Sequence, residues 1–391
     1  MRQVSRLLAG LVAVGASAFT LAGASAADAA SSTTLVGSGA AAAASSTVYV
    51  SRHAHAGALG RSCSTARYRH INVAISAAPR GGRVVVCGGT YKVQAVVTKS
   101  LALIGRGNAT INARGQKPIS KKLPGGSGIV VFHARNVEVS GFTVENAGFD
   151  AILVARSSRI LVSHNLLQHN GDVGVDFNGT SDSLATRNLS RFNKGGGFLI
   201  ADDLGPTHFD AVTWNKATRN PGGCGVIIAG HSTAGVWGNY VAHNLLTFNG
   251  LSHKAPGAGV VIATEVKGER VSGNDVARNE IYGNGLAGVT IHSHVPGQKM
   301  SGNQIVGNDI GKNNLVGDTI GLAPPVKNHP DLRTTGILVG ASSFIRVWIH
   351  GNYIHSNWFG IYLNGRIRAH INHNRYHRYT STSRSRKRAA G

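Results

Sequence analysis

A small residue followed by apolar, variable and apolar positions recurs nine times, from Gly128-Ile-Val-Val to Gly360-Ile-Tyr-Leu. The spacings are 23, 23, 23, 28, 34, 29, 48 and 24 residues. Counted from the small residue, position +1 is always Ile, Val or Phe, and position +3 is always Val, Phe, Ile or Leu. Position +2 varies and includes Asp176, Thr290 and Tyr362. Alternation with period two predicts a strand that turns +1 and +3 inward and +2 outward. A second repeat, Asn–x4–Asn, occurs seven times from Asn165/Asn170 to Asn352/Asn357. Asn tolerates left-handed backbone and bonds neighbouring peptides, so these positions predict tight turns. Stacked in register, their amides can also bond from coil to coil. A period near 23 with several short strands per repeat predicts a parallel β-solenoid. The regular leucines of leucine-rich repeats, which share that period, are absent.

Composition fits short strands and tight turns. There are 52 Gly and 10 Pro, and charged residues are 15% of the chain, against roughly 25% in an ordinary soluble domain. A hydrophobic share of 42% is ample for a core and excludes a wholly disordered chain. The first residues read as a secretory signal: Arg2 and Arg6, an apolar stretch from Leu7 to Gly23, and the small-residue cleavage site Ala24-Ser25-Ala26. The expected organisation is a signal peptide over 1–26, an Ala/Ser/Gly linker over 27–46, a β-helix over 47–374 and a basic disordered tail over 375–391. No later segment is apolar for long enough to span a membrane. The expected product is a secreted, monomeric protein, extracellular or associated with the cell wall.

An exported chain with three cysteines suggests one bridge and one spare thiol. Cys63 and Cys87 frame one helix-strand unit and are expected to pair. Cys224 precedes a core strand and reads as a small buried hydrophobe. No CxxC pair supports a structural zinc site.

Four N-terminal segments are familiar: Val48-Tyr-Val, Ile71-Asn-Val-Ala-Ile-Ser-Ala-Ala-Pro, Val84-Val-Val-Cys-Gly-Gly-Thr-Tyr91 and Lys99-Ser-Leu-Ala-Leu-Ile-Gly105. With the repeats, they make the chain resemble the right-handed parallel β-helix proteins of the pectate-lyase-like superfamily across residues 47–374. Further stretches, Asp202-Asp-Leu-Gly-Pro-Thr-His208, Cys224 to His231 and His292 to Gln298, resemble secreted actinobacterial β-helix repeat proteins. The resemblance implies an all-β solenoid whose open end is capped by a short N-terminal helix. It leaves the activity open, because many chemistries share the fold.

Candidate chemistry emerges when the register is extended. Position +6 reads Asp203, His231, Glu265 and His294 on four consecutive coils; Asp202 stands at +5 and His292 at +4. At a coil spacing of about 4.8 Å this row would span roughly 14 Å. Only 17 carboxylates exist in the chain, and Asp202, Asp203, Asp210 and Glu265 concentrate here. Carboxylates and imidazoles in one row suit acid/base cleavage of a glycosidic bond. Asp202, Asp203 and Glu265 could alternatively hold Ca²⁺ while a base abstracts a proton from an acidic sugar. His231, His292 and His294 with an Asp could bind a transition metal. The competing reading is a polar rim of Asp–His pairs. Asp176 and His208 are expected to contact substrate. The order Asp176, Asp202-Asp203, Gly230-His231 is similar to that of polygalacturonases, although Val175-Asp-Phe-Asn replaces their Asn-Thr-Asp context and Ser232 their second Gly.

Charge points to the partner. The chain carries 40 Lys+Arg against 17 Asp+Glu, a net +23. The first 45 residues contribute +1 and residues 375–391 contribute +6, leaving +16 on the body. A basic body favours polyanions. No nucleic-acid signature is present, so acidic polysaccharide or cell-wall polymer is the expected partner. The reading is therefore a lyase, hydrolase or epimerase of acidic polysaccharide, the alternative being a non-catalytic glycan- or wall-binding solenoid.

Overall fold

The computed structural model describes residues 47–377, apart from 56, 122, 124 and 317–332, together with the backbone of 381–385. The expected signal segment over 1–26 and the linker over 27–46 lie outside the described residues. The described chain is a right-handed parallel β-helix. A typical coil consists of Val173–Asn178, then Leu184–Thr186, then the three-residue Leu189–Arg191. Each strand pairs in parallel with its counterpart one coil on, as Val175 does with Phe198 and Leu189 with Lys216. Near the C-terminal end the corner between the first two faces is bridged by continuous strands, Thr335–His350 and Phe359–Asn372.

All eighteen residues at +1 and +3 are buried in one core. They stack in register, with Ile228 opposite Ile262. One short helix, Ile71–Ala77, closes the N-terminal end and buries Ile71, Ala74 and Ile75 against that core. It covers apolar rungs that would otherwise face water. Cys63 and Cys87 are bonded, tying the segment before the helix to the strand end after it. Cys224 is a buried free thiol. Strand pairing runs past the boundary expected at residue 374. Arg375–His377 pair with Tyr353–His355, and Ser381–Ser385 pair with the strand that begins at Phe359.

The Asn repeat forms the expected ladders. Asn165 Nδ2 donates to Asn188 Oδ1 at 3.0 Å, Asn188 to Asn215 at 3.0 Å and Asn215 to Asn244 at 3.1 Å. A parallel row runs from Asn170 to Asn193 at 2.8 Å and from Asn220 to Asn249 at 2.8 Å. The expected left-handed backbone, however, belongs to the residue before each of these Asn. His164, His169, Arg187, Phe192, Trp214 and Arg219 all have φ between 54° and 58°. The Asn must point its amide inward along the ladder, so the reversal falls on its predecessor, whose side chain then faces out. A non-glycine residue in that conformation costs about 1–2 kcal/mol.

The +2 positions do point away from the solenoid core, yet most are buried beneath loops. Val130, Leu153 and Asp176 are each no more than 2% exposed. Leu123 and Leu204 pack over Val130 and Leu153, while Ala258 and Leu286 pack over Val261. The first sheet thus carries a second, shallow layer of packing that defines where a cleft can open.

Candidate active site

In the +2 row Asp176 lies between Leu153 and Leu199 on the adjoining coils. It is 2% exposed. Burial, followed by the charge of Asp203, pushes its carboxyl well above the ordinary carboxylate range. Asp150 is likewise buried and raised, by desolvation and then by Asp176 and Asp172. Asp172 is half-buried. Desolvation raises it to about 6, with His231 opposing and Asp203 reinforcing the shift.

Two coils bring the row to the surface. Asn178 Nδ2 donates to Asp176 Oδ2 at 3.4 Å and to Asp203 Oδ2 at 3.1 Å. His231 Nδ1–H donates to the same Asp203 oxygen at 2.9 Å. Burial raises the Asp203 carboxyl, but the hydrogen bond and charge of His231 outweigh it and hold the group below its usual value. For His231, desolvation lowers and Asp203 raises; with Glu265 and Asp202 adding to the raise, the imidazolium persists to about 9. The Asp203–His231 pair is therefore an ion pair at neutral pH.

The turn that carries His231 is built by Asp202. Its carboxylate is fully buried and accepts the N–H groups of His231 at 2.7 Å, Ser232 at 3.0 Å and Gly235 at 2.7 Å, and the Ser232 hydroxyl at 2.9 Å. With four donors on two oxygens, Asp202 positions His231 and leaves the proton chemistry to others. Glu269 clamps the next turn in the same way, accepting Glu265 N–H at 2.7 Å and Val266 N–H at 2.9 Å. Gly230 is required beneath it, since a Cβ there would come within 1.8 Å of Glu269 Oε1.

Of the expected residues, the fold unites Asp176, Asp203, His231 and Glu265, with Asp202 beneath them. His292 and His294 lie farther along the solenoid, their rings 5.9 Å apart. His208 stands at the groove described next, stacked on Trp237 at 4.6 Å. Among the described residues, no three His, Cys, Asp or Glu side chains converge on a point that could hold a metal ion. The Ca²⁺ set of Asp202, Asp203 and Glu265 is not formed, because the Asp202 carboxylate is saturated by its turn. Sequence reasoning missed Asp150 and Asp172. Both stand just before the small residue of a repeat, at −1 and −2, on strand entries that acids otherwise avoid. That position, in a chain so poor in carboxylates, was the available signal.

A groove of about 720 Å³ opens beside the turn that follows Asp203. Arg80, Lys99, Arg135 and Arg156 line it, and no described lining residue is acidic. Leu204, which follows Asp203, forms part of its wall; its N–H bonds Asn178 Oδ1 at 2.8 Å and its carbonyl accepts Arg156 Nε–H at 2.9 Å. The groove crosses six successive levels of the solenoid, from Arg80 to Leu204, so its cations could follow an extended anionic chain toward the turn after Asp203.

A family model described as a right-handed beta helix region matches residues 92–246. No curated protein matches the chain by sequence. Among solved structures, an alginate lyase from Paenibacillus sp. str. FPU-7 is similar, with a TM-score of 0.53 and 13% identity over 82% of this chain and 98% of that one. The Agl-KA catalytic domain gives 0.53 at 14% identity over 78% and 61%. The A-module of the Azotobacter vinelandii mannuronan C-5 epimerase AlgE4 gives 0.50 at 16% identity over 78% and 91%. At such identities the likeness is one of fold.

Proposed function

We propose that this right-handed β-helix protein is secreted, and that it binds an acidic polysaccharide along the basic groove and cleaves or modifies it beside Asp203 and His231. The observation that carries the reading is the closeness of two opposite environments: a groove lined by four cations, whose wall includes Leu204, and an ionisable pair that includes the preceding residue, Asp203. Four aspartates would ordinarily repel an anionic chain. Here burial pushes the Asp150 and Asp176 carboxyls well above the ordinary carboxylate range, and His231 balances the charge of Asp203, so the repulsion is reduced.

Roles follow from the titration order. Above about 6, Asp172 is ionised and can accept a proton. Below about 9, His231 is an imidazolium and can donate one. A base and an acid in their working forms over the same interval give general acid/base catalysis, and activity should form a bell with limbs near those values. Asp203 holds and orients the imidazolium, and Glu265 sustains its charge.

The test is to screen purified protein on pectate, alginate and glycosaminoglycan, with turnover and binding read separately. Asp172→Asn, Asp203→Asn and His231→Ala should each lower turnover by about 100-fold or more while the melting temperature holds. Turnover untouched in all three variants would move the site elsewhere. Binding without turnover by the wild-type protein would instead favour a glycan-binding solenoid.

A further inference from the structure

The third strands of the coils carry a surface that the site does not use. Two rows of left-handed residues flank them. One is His164, Arg187, Trp214, His243 and Arg278; the other is His169, Phe192, Arg219 and Phe248. Toward the ends of the solenoid the same two rows hold Gly141, Gly283, Gly307 and Gly351, which fit the turn without strain, beside Asn146, Ser356 and His373, which keep the left-handed backbone. Glycine therefore fits these turns, and the middle coils carry aromatic and basic side chains there instead. Strain kept where glycine would relieve it is a pointer to function.

The side chains form an ordered platform. Trp214 is 60% exposed and stacks on His243 at 4.3 Å with planes 2° apart. His169 stacks on Phe192 at 5.2 Å, and the Arg191 guanidinium lies 5.6 Å from the Phe192 ring centre. Arg191 is itself fixed by Gln168, which accepts its Nε–H at 3.1 Å. Phe248 and Tyr282 are exposed edge-to-face neighbours. Segments 164–170, 187–193, 214–220 and 243–249 hold Arg187, Arg191, Lys216 and Arg219 and no acidic residue, while Glu145 and Glu280 bound them on the coils to either side.

We infer that this face is a second docking surface for an anionic polysaccharide chain, separate from the groove and without catalysis of its own. The C–H faces of sugar rings would stack on Trp214, Phe192 and Phe248, whose ring faces carry negative potential. The carboxylates would pair with Arg187, Arg191 and Arg219, whose forks suit them. The anionic character of the ligand rests on the reading above, but the platform shares no residue with the Asp203–His231 site. Its role would be to hold the protein on its polymer while the groove engages a chain.

Glycine suits the backbone at these positions, which makes the test clean. Binding of polygalacturonate and alginate is measured for the wild type and for Trp214→Gly with Phe248→Gly, alongside single-stranded DNA and a neutral glucan. The double variant should lose about tenfold or more in affinity for the bound polyuronate, the size of an interface hot spot. It should melt no lower than the wild type and keep its rate on short oligosaccharides. Trp214→Phe should retain most of the binding. Unchanged affinity in the double variant, or no wild-type affinity for either polyuronate, overturns the proposal. So does a sharp fall in melting temperature that Trp214→Phe repairs without any change in binding. Tighter binding of single-stranded DNA than of either polyuronate, lost with Trp214, would assign the platform to nucleic acid instead. A protein without turnover whose polyuronate binding still depends on Trp214 would refute the catalytic reading and leave the platform standing.

Discussion

Asp210 is fully buried at the head of a row that continues as Asn239 and Asn274. Its carboxylate accepts Ser183 N–H at 2.8 Å and the Thr180 hydroxyl at 2.5 Å. Burial still dominates these bonds and pushes its pKa to about 7. Between the ordinary 3.8 and about 7, the folded chain holds a proton there that the unfolded chain has lost. Stability must therefore fall as pH rises through that interval, by up to about 1.4 kcal/mol per pH unit for one proton, and level off above it. Asn keeps the shape, with Oδ1 accepting Ser183 N–H and the amide donating to Thr180. Asp210→Asn should thus be more stable than the wild type on the alkaline side of 7, with the advantage shrinking toward 3.8. Thermal melts over a pH series measure it, and a constant difference between the two proteins would contradict the assignment.

The ladders set the energetics of whole coils. Asn215 Nδ2 donates to Ala185 O at 2.8 Å and to Asn244 Oδ1 at 3.1 Å, while its Oδ1 accepts Asn188 N–H at 2.9 Å and Asn188 Nδ2–H at 3.0 Å. Asn215→Ala orphans partners on both neighbouring coils, at about 1–3 kcal/mol for each buried group left unpaired. Ile228, fully buried opposite Ile262, is the apolar counterpart. Ile228→Asp buries an unpaired charge costing several kcal/mol and should prevent folding. Circular dichroism and denaturant titration of both variants test the pattern. A soluble, cooperatively folding Ile228→Asp protein would refute the register.

At the scale of the molecule, a solenoid joins each coil mainly to its neighbours, so its ends need separate protection. The helix Ile71–Ala77 and the Cys63–Cys87 bridge supply it at the N-terminus. A bridge between residues 24 apart should contribute about 3 kcal/mol by restricting the unfolded chain. Reduction or Cys63→Ser should lower the melting temperature, and hydrogen exchange should show the N-terminal coils opening first. The unreduced protein should yield the Cys63–Cys87 peptide pair by mass spectrometry. Cys224 should resist alkylation until the chain unfolds, because burial pushes its thiol to about 12.

The repeat, the core rows and the bridge were legible in the linear chain because each depends on local periodicity or on a short separation, while the cap followed from the resemblance to β-helix proteins. A strand's inward face is set by alternation alone, so +1 and +3 could be assigned residue by residue. The pairing of Asp203 with His231 was also legible, since a fixed register places equal positions on adjacent coils together. What the sequence left open depends on burial, and burial is a property of the packed molecule. Asp202 and Asp203 are adjacent acids, but a turn consumes the first and exposes the second. Asp150 and Asp172 lie outside the strand register, and join the site only because the loops over the first sheet enclose them. The left-handed position moved from the Asn to its neighbour because ladder bonds between coils outweigh the local preference of one residue. Alternation along the chain told which way each side chain points; what lies beyond it, water or another layer of protein, was decided by the fold.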